Sequence, residues 1–240
     1  MSSIRTKFIR GEEVKFISHL DLMKVFERAL RRSGIPILYS KGFNPHPQLV
    51  FGLPLSVGVT SESEYLDLEL EEPINVHEFM DKLNNCLPKG IRLIDAKEKK
   101  TKENIMASVV AASYEILVTL AKFNLNEAKD LMDRFMKLEE IVVKKQTKRK
   151  IKDVDIRPMI YSVDIKTIDT KAFICKTNKQ SENNIFCFSA LLSAGSSANL
   201  KPVLLIEALN NIFDTDFDII KIHRTGLFIG SRDKLLNPLD

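Results

Sequence analysis

The chain opens on alternation. In Ile4-Arg5-Thr6-Lys7-Phe8-Ile9-Arg10 apolar and polar residues trade places, which predicts extended structure running to Ile17 with a turn at Gly11. The period changes at Ser18. With Asp21 three places on, Ser18 forms an N-terminal capping pattern, and Leu22, Val25, Phe26, Ala29 and Leu30 recur at helical spacing until Gly34 and Pro36 end the helix. Residues 37–39 and 49–53 are short apolar runs flanking residues 40–47, whose glycine and two prolines exclude regular structure. Residues 64–70 alternate again through Leu66, Leu68 and Leu70. Asn75 with Glu78 caps a second helix on Val76, Phe79, Met80, Leu83 and Leu87, closed by Pro88-Lys89-Gly90, and residues 91–96 predict another strand.

Strand, helix, strand, strand, helix, strand is the order of the split βαβ, ferredoxin-like arrangement. A polar stretch, residues 97–104, reads as a linker or exposed excursion, and a similar order follows it. Residues 114–120 predict a strand. Asn124 with Glu127 caps a helix on Ala128, Leu131, Met132, Phe135 and Leu138; residues 141–143, 159–165, 172–175 and 185–188 predict strands. Pro202 suits the first turn of a helix carrying Leu205, Ala208, Leu209 and Ile212, and residues 218–222 and 227–229 close the chain as strands. The predicted class is α+β: tandem ferredoxin-like (βαββαβ) units with antiparallel sheets, one over residues 1–100 and one over 113–240. The repetition is of element order, not of residues.

Composition adds bounds. Of 240 residues, 44% are hydrophobic and 28% charged, so a chain of this length can bury a sizeable core and is not disordered throughout. Lys plus Arg is 36 against 32 Asp plus Glu; the resulting +4 permits a polyanionic partner without requiring one. Three cysteines, Cys86, Cys175 and Cys187, are odd in number and far apart, which fits neither a disulfide framework nor the paired thiolates of a zinc or iron–sulfur site. No basic, apolar leader opens the sequence and no apolar run nears the length that spans a bilayer. The expectation is a reduced, cytoplasmic protein with no membrane contact and no metal or cofactor in this chain.

Four stretches offer chemistry. On the first helix Lys24, Arg28, Arg31 and Arg32 make a basic ridge diluted by Asp21 and Glu27. In the loop, Lys41 supplies a cation, Asn44 an amide, and His46, held between two prolines, an imidazole on a stiff backbone. Residues 144–152 carry six cations and no acid, with Lys148, Arg149 and Lys150 at the centre, a density that favours a phosphate backbone. Gly195, Ser196 and Ser197 lie in a small-residue loop leading to the Pro202 helix and form a candidate anion loop, although one glycine is no P-loop. His19 and His46 are the candidates for catalysis, but no Ser or Cys nucleophile is tied to either by pattern. Each stretch also has a plain structural reading: a rigid connector, a solvated hairpin tip, a simple loop.

Phe16-Ile17-Ser18-His19-Leu20-Asp21-Leu22, Arg28-Ala29-Leu30-Arg31-Arg32, Tyr39-Ser40-Lys41-Gly42-Phe43-Asn44-Pro45-His46-Pro47 and Leu53-Pro54-Leu55-Ser56-Val57-Gly58-Val59 together resemble the radical SAM-linked family, also known as domain of unknown function 2344. Val154-Asp155-Ile156-Arg157-Pro158 and Asn199-Leu200-Lys201-Pro202 fit its looser later motifs. Members occur alone or fused behind a radical SAM module, and no settled activity is attached to them. This chain has no C-x3-C-x2-C motif for the cluster such an enzyme needs. The resemblance therefore implies an accessory or substrate-presenting module that acts with a separate radical SAM enzyme. Combined with the two cation clusters, it gives as first expectation a non-catalytic adaptor for structured RNA, of the tRNA or rRNA kind. A pure protein–protein adaptor docking through residues 39–59 is the second. Metal-independent RNA cleavage by His19 or His46, by analogy with RAMP-like RNA-processing proteins of similar outline, is the third.

Overall fold

The computed structural model describes residues 2–120, 124–146, 151–167 and 184–240. It is a mixed α/β protein whose strands pair mostly antiparallel, and the chain divides into two compact units. The first holds residues 1–111, 194–197 and 224–240; the second holds 112–193 and 198–223. Residues 224–240, which the sequence division assigns to the second unit, thus pack in the first.

In the first unit, β1 (Ser2–Arg10) leads through a 3-10 turn (Glu12–Val14) to α1 (His19–Ser33), then β2 (Leu49–Phe51), β3 (Thr60–Leu70), α2 (Val76–Asn84) and β4 (Ile91–Glu98). Pairing runs β4-β1-β3 with β2 also on β3, and each of these pairs is antiparallel. The extended stretch expected to reach Ile17 ends at Arg10, because Gly11 turns the chain and Arg10 holds the carbonyls that follow it. A short helix α3 (Ile105–Ser108) follows β4. Core formation obeys the sequence periods. Even-numbered β1 residues Ile4, Phe8 and Arg10 point inward with Leu66, Leu68 and Leu70 of β3, and Leu22, Phe26, Ala29 and Leu30 of α1 cover them. Phe8, Phe26 and Phe51 meet edge to face at 5.0 to 6.0 Å between ring centres.

The second unit begins within β5 (Val109–Leu120) and contains α4 (Leu125–Met136), β6 (Val142–Gln146), β7 (Ile151–Asp155), β8 (Ile160–Thr167), β9 (Asn184–Ser193) and α5 (Pro202–Phe213). Strand β10 (Asp218–Ser231) contributes residues 218–223 here and 224–231 to the first unit, where β11 (Lys234–Leu236) pairs with it. β5, β9 and β8 are successive neighbours. β6 and β7 instead form a separate two-stranded antiparallel sheet, so this unit does not repeat the first strand for strand. Asn124 and Glu127 close a reciprocal capping box on α4, whose Ala128, Leu131, Met132 and Phe135 are buried. Pro202 opens α5 with no side-chain cap. The strand expected over residues 172–175 lies outside the described residues, as does Cys175.

Candidate functional site

Helix α1 starts from a reciprocal contact: the Ser18 hydroxyl accepts the Asp21 backbone N–H at 3.2 Å and donates to the Asp21 carboxylate at 2.7 Å. That hydroxyl holds the Asp21 carboxyl below its ordinary range, with Lys24 helping. Gly34 closes the helix in the left-handed region at φ +65°. Burial of Leu22, Phe26, Ala29 and Leu30 turns Leu20, Lys24, Glu27 and Arg31 outward, and their spacing stacks them in one stripe along the helix. Arg28 is exposed on the adjoining column. Arg32, the last cation of the expected ridge, donates instead to the Cys86 carbonyl at 2.6 Å and is committed to joining α1 to the end of α2.

The loop between α1 and β2 folds back on that stripe. Tyr39 bridges Pro47, the Ser40 N–H donates to the His46 carbonyl at 2.9 Å, and the His46 N–H donates to the Ser40 hydroxyl at 3.0 Å. This closed neck thrusts residues 41–45 into solvent. Lys41 and Asn44 are exposed and the Phe43 ring is fully so. The neck also aims His46, whose Nδ1 lies 3.8 Å from Glu27 Oε1 on the α1 stripe. His46 therefore reaches the stripe that carries Lys24, Glu27 and Arg31, and the loop it closes bears Lys41 and Asn44.

Beside the neck is a hollow of about 360 Å³. Ser40, His46, Gln48, Asp67, Glu69 and Lys99 all line it, and Gln48, just before β2, stands side by side with Glu69 of β3, the Glu69 N–H donating to the Gln48 carbonyl at 3.0 Å. Asp67 is saturated: Arg5, directly across from it in the β1–β3 register, donates to its two oxygens at 2.7 and 3.0 Å, Lys99 lies 3.4 Å away, and the Ile105 N–H donates at 2.9 Å. Glu69 is different. It accepts the Ser3 hydroxyl and lies 3.9 Å from Lys99, yet its side chain stays 34% exposed. Lys99, in the stretch expected to be a solvated linker, is only 7% exposed, because the two carboxylates draw its ammonium inward.

A second ionic group, not anticipated, lies beneath the turn before α1. Arg10 is fully buried; it donates to the carbonyls of Val14, Lys15 and Ile17, while its Nη1 has no partner. Arg224 Nη1 donates to both Glu64 oxygens at 2.9 and 3.1 Å, with both side chains buried. Burial and the Arg224 charge lower the Arg10 pKa and Glu64 opposes them. His19 sits half-buried with its ring edge-on to Phe51 at 5.3 Å. Burial first and Arg10 second push its imidazole below the ordinary range, against Glu64. A signal for this group exists in the sequence: Arg10 shares the inward parity of Ile4 and Phe8, and Glu64 that of Leu66 and Leu68.

The remaining candidates separate. Lys148, Arg149 and Lys150 lie outside the described residues. In the 194–197 segment, Ser196 and Ser197 are exposed, and Gly195, at φ +131°, has the Val109 carbonyl oxygen where a side chain would begin, so close backbone packing accounts for that glycine. Among the described residues no group of three or more His, Cys, Asp or Glu is arranged to hold a metal ion, and no helix is long and apolar enough to cross a membrane. Phe16, Leu20 and Val57, around the turn before α1, are each more than half exposed.

The mixed α/β architecture is shared with a chain of the Cbf5-Nop10-Gar1 complex, at 12% identity and a TM-score of 0.50 over 93% of this chain and 48% of that one. A chain of the archaeal box H/ACA sRNP Nop10-Cbf5 complex aligns at 12% identity with a TM-score of 0.43, over 93% of this chain and 46% of that one. An unknown protein from Galdieria sulphuraria aligns at 10% and 0.25, over 91% and 96% of the two chains. This chain spans about half the length of the first two. No curated protein matches it. The family model described as an uncharacterized protein conserved in bacteria, DUF2344, matches residues 3–202, and the chain belongs to that family.

Proposed function

We propose that this protein is a non-catalytic RNA-binding module that presents a structured RNA, of the tRNA or rRNA kind, to a separate radical SAM enzyme in the cytoplasm. The observation that carries the RNA reading is the meeting of α1 with the loop: His46 reaches Glu27, on the stripe that also carries Lys24 and Arg31, and the loop that His46 closes bears Lys41, Asn44 and a fully exposed Phe43. Cations for phosphate, an aromatic face for an unstacked base and an amide for its edge are what recognition of single-stranded RNA segments requires. Arg28 extends the cationic surface, and no ion pair holds Arg28 or Arg31 among the described residues. The enzyme partner rests on the motif resemblance alone. The reading of the fold as two ferredoxin-like units is supported in the first by its β4-β1-β3-β2 order, and less so in the second, where β6 and β7 stand apart.

The test is titration of labelled total tRNA against the full chain across a salt series. Affinity falls linearly with log salt, and Lys24→Ala/Arg28→Ala/Arg31→Ala flattens that slope by roughly two to three, about one per phosphate contact removed. Binding with no salt slope, or a triple variant that binds as the parent does, overturns the reading. A second reading, docking on a protein partner, is favoured by the exposure of Phe16, Leu20 and Val57. It expects Phe16→Ser/Leu20→Ser to abolish copurification of that partner while RNA binding stands.

A further inference from the structure

We infer that the hollow beside the loop neck receives one unstacked guanine of the bound RNA, read by Glu69 with Gln48 beside it. This rests on the RNA-binding reading above and names what the same site selects. Charge is segregated here. Lys24, Arg28, Arg31 and Lys41 stand outside the hollow, whereas its own wall carries Asp67 and Glu69 beside Lys99. Arg5 and Lys99 balance the two carboxylates of the wall, so the hollow has no surplus positive charge to hold a phosphate, and it is left for the uncharged part of a nucleotide while the cations outside it meet the backbone. At about 360 Å³ the hollow is near the lower end of small-molecule sites, roughly 300 to 1,000 Å³, so it suits one nucleoside and not a stacked run.

The donor balance chooses the base. Arg5, Lys99 and the Ile105 N–H already occupy Asp67, so it only steadies the wall. Glu69 accepts one hydroxyl, from Ser3, and lies 3.9 Å from Lys99. An ionised carboxylate offers about four lone-pair sites, so a matched pair of donors is still accommodated. Guanine alone presents two adjacent N–H donors on its Watson–Crick edge. Adenine and cytosine place an acceptor beside their amino group, and uracil flanks its single N–H with carbonyls, so each sets an acceptor against the carboxylate. Gln48, exposed next to Glu69 of β3, donates to the Tyr39 carbonyl at 3.4 Å and offers its amide oxygen as a further acceptor for the amino group on the same edge of the base.

The test uses the full chain and four oligouridine octamers that differ only in one central nucleotide: G, A, C or U. The expected result is preference for the central G by roughly tenfold or more, about what one bidentate contact to a base edge gives. Glu69→Gln, which puts an N–H where a carboxylate oxygen was, removes that preference while the salt slope is unchanged. Gln48→Ala, at an exposed position that leaves the fold alone, lowers the preference and serves if Glu69→Gln does not fold. Equal binding of the four octamers, or preference retained in both variants, overturns the guanine assignment and leaves RNA binding standing. Failure of every octamer and of tRNA to bind overturns both.

Discussion

Replacing Glu64 by Gln preserves the shape of a buried side chain and removes a negative charge that faces two buried guanidinium groups. Arg224 reaches both carboxylate oxygens at 2.9 and 3.1 Å, and the two side chains are 3% and 5% exposed, so solvent does little to screen the pair. Arg10, with Nη1 unpartnered, relies on the same carboxylate as the charge that opposes its desolvation. Breaking a buried pair by removing one partner costs about 3 to 5 kcal/mol. Because domain stabilities are roughly 5 to 15 kcal/mol, that is a large share of what holds the first unit folded. Urea unfolding followed by far-UV circular dichroism measures the loss, and hydrogen exchange at β3 amides assigns it to the first unit. Arg224→Met added to Glu64→Gln should cost less than the two single losses combined, since the guanidinium that lost Glu64 is then gone. A loss below about 1 kcal/mol for Glu64→Gln, the level of an exposed ion pair, would refute the reasoning.

Three further outcomes follow from the same geometry. His19 has a folded pKa below its unfolded value, so the unfolded chain binds the extra proton first; stability falls as pH drops through about 6.5 and levels off below the folded pKa, and His19→Gln flattens that part of a pH–stability curve. Gly195→Ala, which sets a methyl group on the Val109 carbonyl and forces a left-handed-side φ on alanine, costs on the order of 1 to 3 kcal/mol and is read as a lowered midpoint in thermal melts. Asn124→Ala removes the acceptor for the Asn126 and Glu127 N–H groups and costs α4 about 0.5 to 2 kcal/mol; amide exchange that stays unchanged in the first turn of α4 would contradict this.

Helix α1 shows how much was legible. Its cap, apolar face and left-handed glycine stop are all relations between residues at most four apart, and each is realised. The expected ridge lost Arg32, because the carbonyl that claims it belongs to Cys86, 54 residues on. At the loop, the prolines and glycine marked irregular backbone, but nothing local indicated that Ser40 and His46 would close a neck, or that the imidazole would face Glu27. Residues 97–104 read as solvated because lysine and glutamate fill most of those positions. The structure draws Lys99 inward, since Asp67 and Glu69 on β3 need a cation.

What the sequence determined by itself is therefore the set of elements and the faces they present. Helix caps, hydrophobic periods and turn residues act through hydrogen bonds and packing between close neighbours, and those neighbours are written side by side. Only the tertiary structure decided which charges are buried together: Arg5 with Asp67 across 62 residues, Arg224 with Glu64 across 160, and residues 224–240 returning to the first unit. Desolvation makes a buried charge depend on whatever partner is brought within reach, and that partner is chosen by strand pairing and chain return, for which no local pattern exists.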